Sequence, residues 1–156
     1  MDDRIVRFIR RHHVMTLTTV GTEGEPWSCN LFYAWMPGCD ALVFTSQEGT
    51  RHTREMGENG RVAASIALET RIVGRIQGMQ IQGVAERVAE PLAAEARKTY
   101  LKRFPYAVFA PGELWVLKLV KLKYTDNTLG FGTKMHWSRE SDDRNDRQEK
   151  TKNYRP

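Results

Sequence analysis

The sequence predicts a mainly β (α+β) fold: an antiparallel barrel of six or seven strands with two or three peripheral helices. Three observations lead there. Strand-like segments follow one another without the intervening helices that a parallel sheet requires. The segment Trp27–Trp35 alternates, with Trp27, Cys29, Leu31, Tyr33 and Trp35 on one face and Ser28, Asn30, Phe32 and Ala34 on the other. The stretch Val43–Val62, VFTSQEGTRHTREMGENGRV, reads as strand, glycine-bearing loop, short helix and strand.

In chain order, Asp2 or Asp3 caps a first helix whose apolar residues Ile5, Phe8 and Ile9 repeat at helical spacing among Arg4, Arg7, Arg10 and Arg11. This helix is expected to pack across the end of a sheet. Val14–Val20 is rich in β-branched residues and alternates Met15 and Leu17 against Thr16 and Thr18. GTEGEP at Gly21–Pro26 turns the chain into the aromatic strand, and Pro37-Gly38 turns it out again. After an apolar run from Ala41 to Phe44, a helix from Thr50 to Met56 is broken by Gly57-Glu58-Asn59-Gly60, and Val62–Leu68 forms the next strand. Ile72–Val88 reads as one or two strands in which Gly74, Gly78 and Gly83 mark bulges or close approach. Pro91 suits the first turn of a helix carrying Leu92, Ala96, Tyr100 and Phe104 at four-residue steps. Leu114–Tyr124 has the near-continuous apolar character of a strand buried on both sides. From Ser138 the composition changes: the last 19 residues hold six basic and five acidic side chains and no aliphatic one. Residues 1–137 are therefore expected to form the domain and 138–156 a solvated, charged tail.

A chain of 156 residues, 40% apolar and 28% charged, supports one domain with its own core. No apolar run reaches the ~20 residues of a membrane-spanning helix, and MDDRIVRFIRRHH lacks the core of a signal peptide. Cys29 and Cys39 lack CxxC spacing. A cytoplasmic protein with no membrane association is the expectation. The net charge of +5 is scattered, without the basic–aromatic interleaving of an RNA-binding surface, and suits small anions better than nucleic acid.

None of His12, His13, His52 and His136 stands in a metal-ligand spacing, and there is no GxSxG. Side-chain acid–base or nucleophilic catalysis is thus poorly supported, and a cofactor would carry any redox chemistry. The strongest site signal is the Val43–Val62 stretch. A helix N-terminus offers free N–H donors and partial positive charge, Thr45, Ser46 and Thr50 add hydroxyls, and Arg51 adds a fork that suits phosphate. The same strand–turn–helix also occurs as plain scaffolding.

The element order, with FTSQEGTRHTREMGENGRVAASIA followed by IQGMQIQGVAERV, resembles the FMN-binding split β-barrel of the pyridoxamine-phosphate-oxidase-like superfamily over residues 5–124. RKTYLKRFPYA and LVKLKYTDNTLGFGTKMHW resemble its small, functionally unassigned YhbP-like bacterial branch. The resemblance implies a homodimer with FMN in clefts between subunits. It places the FMN phosphate at Thr50-Arg51-His52 with Thr45-Ser46, the ring edge near Asn30, polar contacts around Gln80, and Lys134 and Trp137 as residues reaching across the dimer. His52 stands where most relatives carry Lys. The second strand, WSCNLFYAW, lacks the basic residues of the true oxidase, and KMHWSRE departs from its closing segment, so oxidation of pyridoxamine phosphate is not expected. The implied function is an FMN-dependent oxidoreductase of unassigned substrate. The alternatives are a flavin- or anion-binding sensor without turnover and, last, a haem-handling barrel with His13, His52 or His136 as axial ligand.

Overall fold

The computed structural model describes residues 1–109, 112–130 and 132–140. Seven strands form one antiparallel sheet: β1 (Val14–Val20), β2 (Pro26–Met36), β3 (Ala41–Ser46), β4 (Arg61–Ala67), β5 (Gln77–Arg87), β6 (Glu113–Asp126) and β7 (Lys134–Ser138). Their order is β3-β2-β1-β4-β5-β6-β7, and a β3–β6 pairing closes the first six into a barrel. Closure removes the exposed edges that an open sheet would present.

β6 makes closure possible by changing partners along its length. Leu114–Lys118 faces β3 residues Ala41–Thr45, and Lys121–Thr125 faces β7. Between the two halves the Arg139 guanidinium donates to the carbonyls of Leu119, Cys39 and Asp40 at 2.9, 3.1 and 3.2 Å. Ser138 ends β7 and Arg139 pins the barrel seam, so the ordered body continues past residue 137. Residues 141–156 of the expected tail lie outside the described residues.

The barrel interior is filled by the inward rows of the strands. Met15, Leu17, Tyr33, Trp35, Phe44, Ile66, Met79, Trp115 and Leu117 are buried in one cluster, each large side chain contributing about 1.5–3 kcal/mol of transfer free energy. Helix α1 (Asp3–Arg11), capped by Asp2 accepting from the Arg4 N–H at 2.8 Å, plugs one end with Ile5, Phe8 and Ile9. The Tyr33 hydroxyl donates to the Ile9 carbonyl at 2.8 Å and ties that helix to β2. Helix α2 (Arg51–Glu58) lies at the other end, where Met56 joins the core. Helix α3 (Ala93–Arg103) covers Ala34, Met36, Val43 and Val116 on the outside of the barrel with Ala96 and Tyr100.

Two local expectations, for β6 and for Pro91, need correction, and a third is narrowed. Only the first half of β6 is buried on both sides: Lys118 and Lys121 are exposed and the residues between Leu122 and Asp126 alternate, because α3 covers only the end near β3. Ile72–Val88 contributes a single strand, the 3-10 turn Val73–Arg75 preceding it. Its one register shift falls at Gln82/Gly83, where a Cβ on Gly83 would sit 2.5 Å from the Lys118 carbonyl oxygen. Pro91 precedes α3, which starts at Ala93. The aromatic alternation of β2 is core: Tyr33 and Trp35 are buried, Cys29 and Leu31 pack against them, and only Trp27 emerges.

Candidate functional site

The N-terminus of α2 gathers four polar side chains. Ser46, buried at the end of β3, shares a hydrogen bond with His52 Nε2 at 2.7 Å and another with the Thr53 hydroxyl at 2.6 Å. Thr50 lies 2.8 Å from the Thr53 hydroxyl, 3.2 Å from His52 Nε2, and donates to the Gln47 carbonyl at 3.1 Å. Thr50 occupies the N-cap position but makes no side-chain cap hydrogen bond, so the first-turn N–H groups keep their capacity for an anion. Gly49 permits the approach because the loop turns through φ +85° there. Burial of the His52 ring pushes its pKa below 6.5, partly opposed by the Glu55 carboxylate, so the imidazole is a neutral partner at neutral pH.

Arg51 is the residue whose direction the sequence does not reveal. It donates through Nε to Glu55 at 2.6 Å, reaches Glu25 at 3.3 Å, and stacks 4.8 Å over the Trp27 ring. Glu55 is buried and also accepts from the Thr19 hydroxyl. Those two hydrogen bonds, Thr19 first and Arg51 second, outweigh burial and hold the carboxyl below its usual range. Thr45 points elsewhere: its hydroxyl donates to Tyr100 of α3 at 3.1 Å.

One residue beyond Trp27, the outer face of the sheet begins. Strand register aligns Ser28, Thr18, Ala63, Gln82 and Lys121 in one transverse row. The adjoining row holds Asn30, Thr16, Ser65, Gln80, Lys123 and His136. Thr16 donates to Asn30 Oδ1 at 2.8 Å, and Thr18 pairs with Ser28 at 2.8 Å. Thr18, Ala63, Gln82 and Lys121 of the first row and Ser65, Gln80, Lys123 and His136 of the second line a shallow cleft of about 450 Å³. Asn30 and Gln80 therefore share a row across three strand pairings. Lys134 belongs to the next row beside Thr125, and Trp137 is turned into the core beside Leu122. Three residues apart in a strand, the two occupy opposite faces.

With this geometry in hand, the comparisons are specific. The pyridoxamine 5'-phosphate oxidase family profile matches residues 1–125. The chain belongs to that family. Within it, the UPF0306 protein YhbP of Salmonella schwarzengrund is 40% identical over 137 residues, covering 88% of this chain and 92% of that protein. This places the chain in the YhbP branch of the family. Among solved structures, a heme binding protein from Mycobacterium smegmatis superposes with a TM-score of 0.72 at 22% identity. That match covers 88% of this chain but only 59% of the other, so this chain spans well under two thirds of that protein. A FAD-binding protein from Mesorhizobium loti superposes with a TM-score of 0.63 at 14% identity, covering 78% and 92%. At these identities the structural matches describe the shared fold.

Sequence reasoning missed Thr53, Glu55, Thr16, Ser65 and Lys123 as site residues, and offered His136 only as a possible haem ligand. The Arg51–Glu55 spacing of four residues on a helix was a readable signal for an ion pair. Thr53 joins through the first turn of α2, three residues from Thr50, whereas Thr16, Ser65 and Lys123 become neighbours only through strand register.

Among the described residues, no group of three or more His, Cys, Asp or Glu is placed to hold a metal ion, and no helix is long and apolar enough to cross a membrane.

Proposed function

We propose that the protein is an FMN-binding flavoprotein acting as an oxidoreductase on a small substrate, in a homodimer whose cofactor clefts lie between subunits. The observation that carries this reading is the uncapped N-terminus of α2 ringed by Ser46, Thr50 and His52. Its donor set fits a phosphate monoester: helix N–H groups, two hydroxyls and an imidazole, with Arg51 on the same first turn, its guanidinium paired with Glu55 and Glu25. Ser28, Asn30, Gln80 and Gln82 on the outer face offer amide and hydroxyl partners to the edge of a planar heterocycle. The small side chains Ala63, Ser65 and Ala67 leave room for a second subunit on the same face. Bound flavin would supply hydride acceptance and donation. The chain's own residues would hold the phosphate, orient the ring and exclude water.

A visible absorption spectrum with and without added FMN, taken alongside mass in solution, tests the reading. Saturable quenching of FMN fluorescence at one site per chain of a dimer, weakened tenfold or more in Arg51→Ala, is the expected result. No FMN binding by the folded protein, or affinity untouched in Arg51→Ala, overturns the assignment. Reduction of bound FMN by a reduced nicotinamide separates an oxidoreductase from a sensor without turnover.

A haem-handling reading is favoured by one observation: exposed His136 borders the 450 Å³ outer cleft beside Lys121 and Lys123, which suit propionates. His52 is hydrogen-bonded to Ser46, and His13 lies edge-on to Phe104 at 6.2 Å. Titration with hemin giving a Soret shift that His136→Ala removes would support haem over flavin.

A further inference from the structure

The opposite end of the barrel carries a second basic cleft, independent of the flavin reading. Arg4, Arg7 and Arg11 of α1 line a cavity of about 280 Å³ with Phe8, Gln77, Tyr124, Asp126 and Leu129. Arg4 is already engaged, donating through Nε and Nη2 to Asp2 at 3.1 and 2.8 Å. Arg7 and Arg11 are not: among the described residues neither has a hydrogen-bond or ion-pair partner. They stand one turn apart, about 6 Å along the axis, where like charges destabilise an isolated helix by a few tenths of a kcal/mol.

The one acid among the described residues of the cavity does not answer them. Asp126 is buried and accepts from the Tyr124 hydroxyl at 2.9 Å, Gln77 Nε2 at 3.0 Å, and both the N–H and hydroxyl of Thr128 at 2.9 and 2.6 Å. Burial pushes its carboxyl up, but these hydrogen bonds outweigh it and keep the group ionised. With its acceptor capacity used inside the fold, Asp126 makes no ion pair with either outer guanidinium, and its single charge is outnumbered by those of Arg4, Arg7 and Arg11. A purely structural reading explains Arg10 and Arg11, since cations are favoured in the last turn of a helix. It does not explain Arg7, at mid-helix.

Two free guanidinium forks at this spacing match the oxygens of one tetrahedral anion. Phe8 and Tyr124 pack ring to ring at 4.8 Å and are too buried to offer a stacking face, whereas Leu129 is 52% exposed and offers apolar surface. We propose that this cleft binds a small organic phosphate monoester, its phosphate clasped between Arg7 and Arg11 and its apolar body lying against Leu129. This site and the α2 seat are far apart: α1 leads into Val14 and α2 packs on Thr19, at opposite ends of β1.

The test is calorimetric titration of the full chain with phenyl phosphate and, separately, inorganic phosphate. Expected are saturable phenyl phosphate binding, at least fivefold weaker binding of inorganic phosphate, and tenfold or greater loss in Arg7→Gln and in Arg11→Gln. Arg10→Gln and Arg71→Gln, exposed arginines outside the cavity lining, should stay within twofold of the unaltered protein. Should a variant fold poorly, amide shifts in the unaltered protein must map to Arg7, Arg11 and Leu129. No saturation, amide shifts that leave Arg7, Arg11 and Leu129 unmoved, or equal losses in every arginine variant would each overturn the proposal. The last result would mean diffuse charge attraction, and none of these outcomes bears on FMN binding at α2.

Discussion

Arg51 donates to the buried Glu55 carboxylate at 2.6 Å, and that bond holds the guanidinium of the first turn of α2 beside the proposed phosphate seat. Glu25, on the turn between β1 and β2, holds the same side chain from the solvent side at 3.3 Å. Both contacts keep the positive charge in reserve, so the seat and the ion pair compete for one residue.

Glu25→Ala should therefore raise FMN affinity two- to fivefold, because it removes the exposed partner and leaves Glu55 in place. Surface ion pairs of this kind are worth only ~0–1 kcal/mol, which caps the gain. Fluorescence quenching titrations measure it, and unchanged or weaker affinity would show that Arg51 does not swing to the seat.

FMN affinity should rise as pH falls from 8 to 6. Burial lowers the His52 pKa in the free protein, and a phosphate dianion would raise it, so binding takes up a proton in this range. His52→Lys should bind more tightly at pH 8 and lose most of the slope, as read from titrations at constant ionic strength.

Stability runs the opposite way with pH. The folded pKa of His52 lies below its ordinary 6.5, so its contribution is complete above about pH 6.5 and is lost as pH falls through the folded value. Glu55 adds a second loss at lower pH: its folded pKa lies below 4.5, so its contribution is present above that value and disappears as pH falls through the folded one. Thermal melts should show Tm declining on acidification below pH 6.5, and His52→Gln should remove the upper part of the decline.

Two glycines should respond oppositely to alanine. Gly83→Ala drives a Cβ to 2.5 Å from the Lys118 carbonyl oxygen and 2.6 Å from Leu117 Cδ1, which costs about 2 kcal/mol or more. Gly57→Ala, in α2 with nothing within 4 Å, should stabilise by about 0.5–1 kcal/mol. Urea denaturation curves with equal slopes would report both.

Arg139→Ala should destabilise by about 1.5–3 kcal/mol, since one charged donor group serves three carbonyls at the β3–β6 seam. A melt within a degree of the unaltered protein would mean that water replaces it at no cost.

The sequence by itself determined the elements and most of the core. Period-two alternation placed Met15 and Leu17 inward with Thr16 and Thr18 outward, and helical spacing selected Ile5, Phe8 and Ile9, because side-chain direction follows from backbone period within one segment. The hydroxyl-rich run around Thr50 was legible for the same reason, its residues being close along the chain. Tertiary structure alone decided the rest. Asn30 and Gln80 meet in one row because β1 and β4 stand between their strands in fixed register, and a one-residue slip would turn either away. Arg51 faces Glu25 and Trp27, and Arg139 pins Cys39 and Asp40, through contacts between segments that only barrel closure brings together. Pairing and register depend on the whole packed sheet, so no single stretch of the chain contains them.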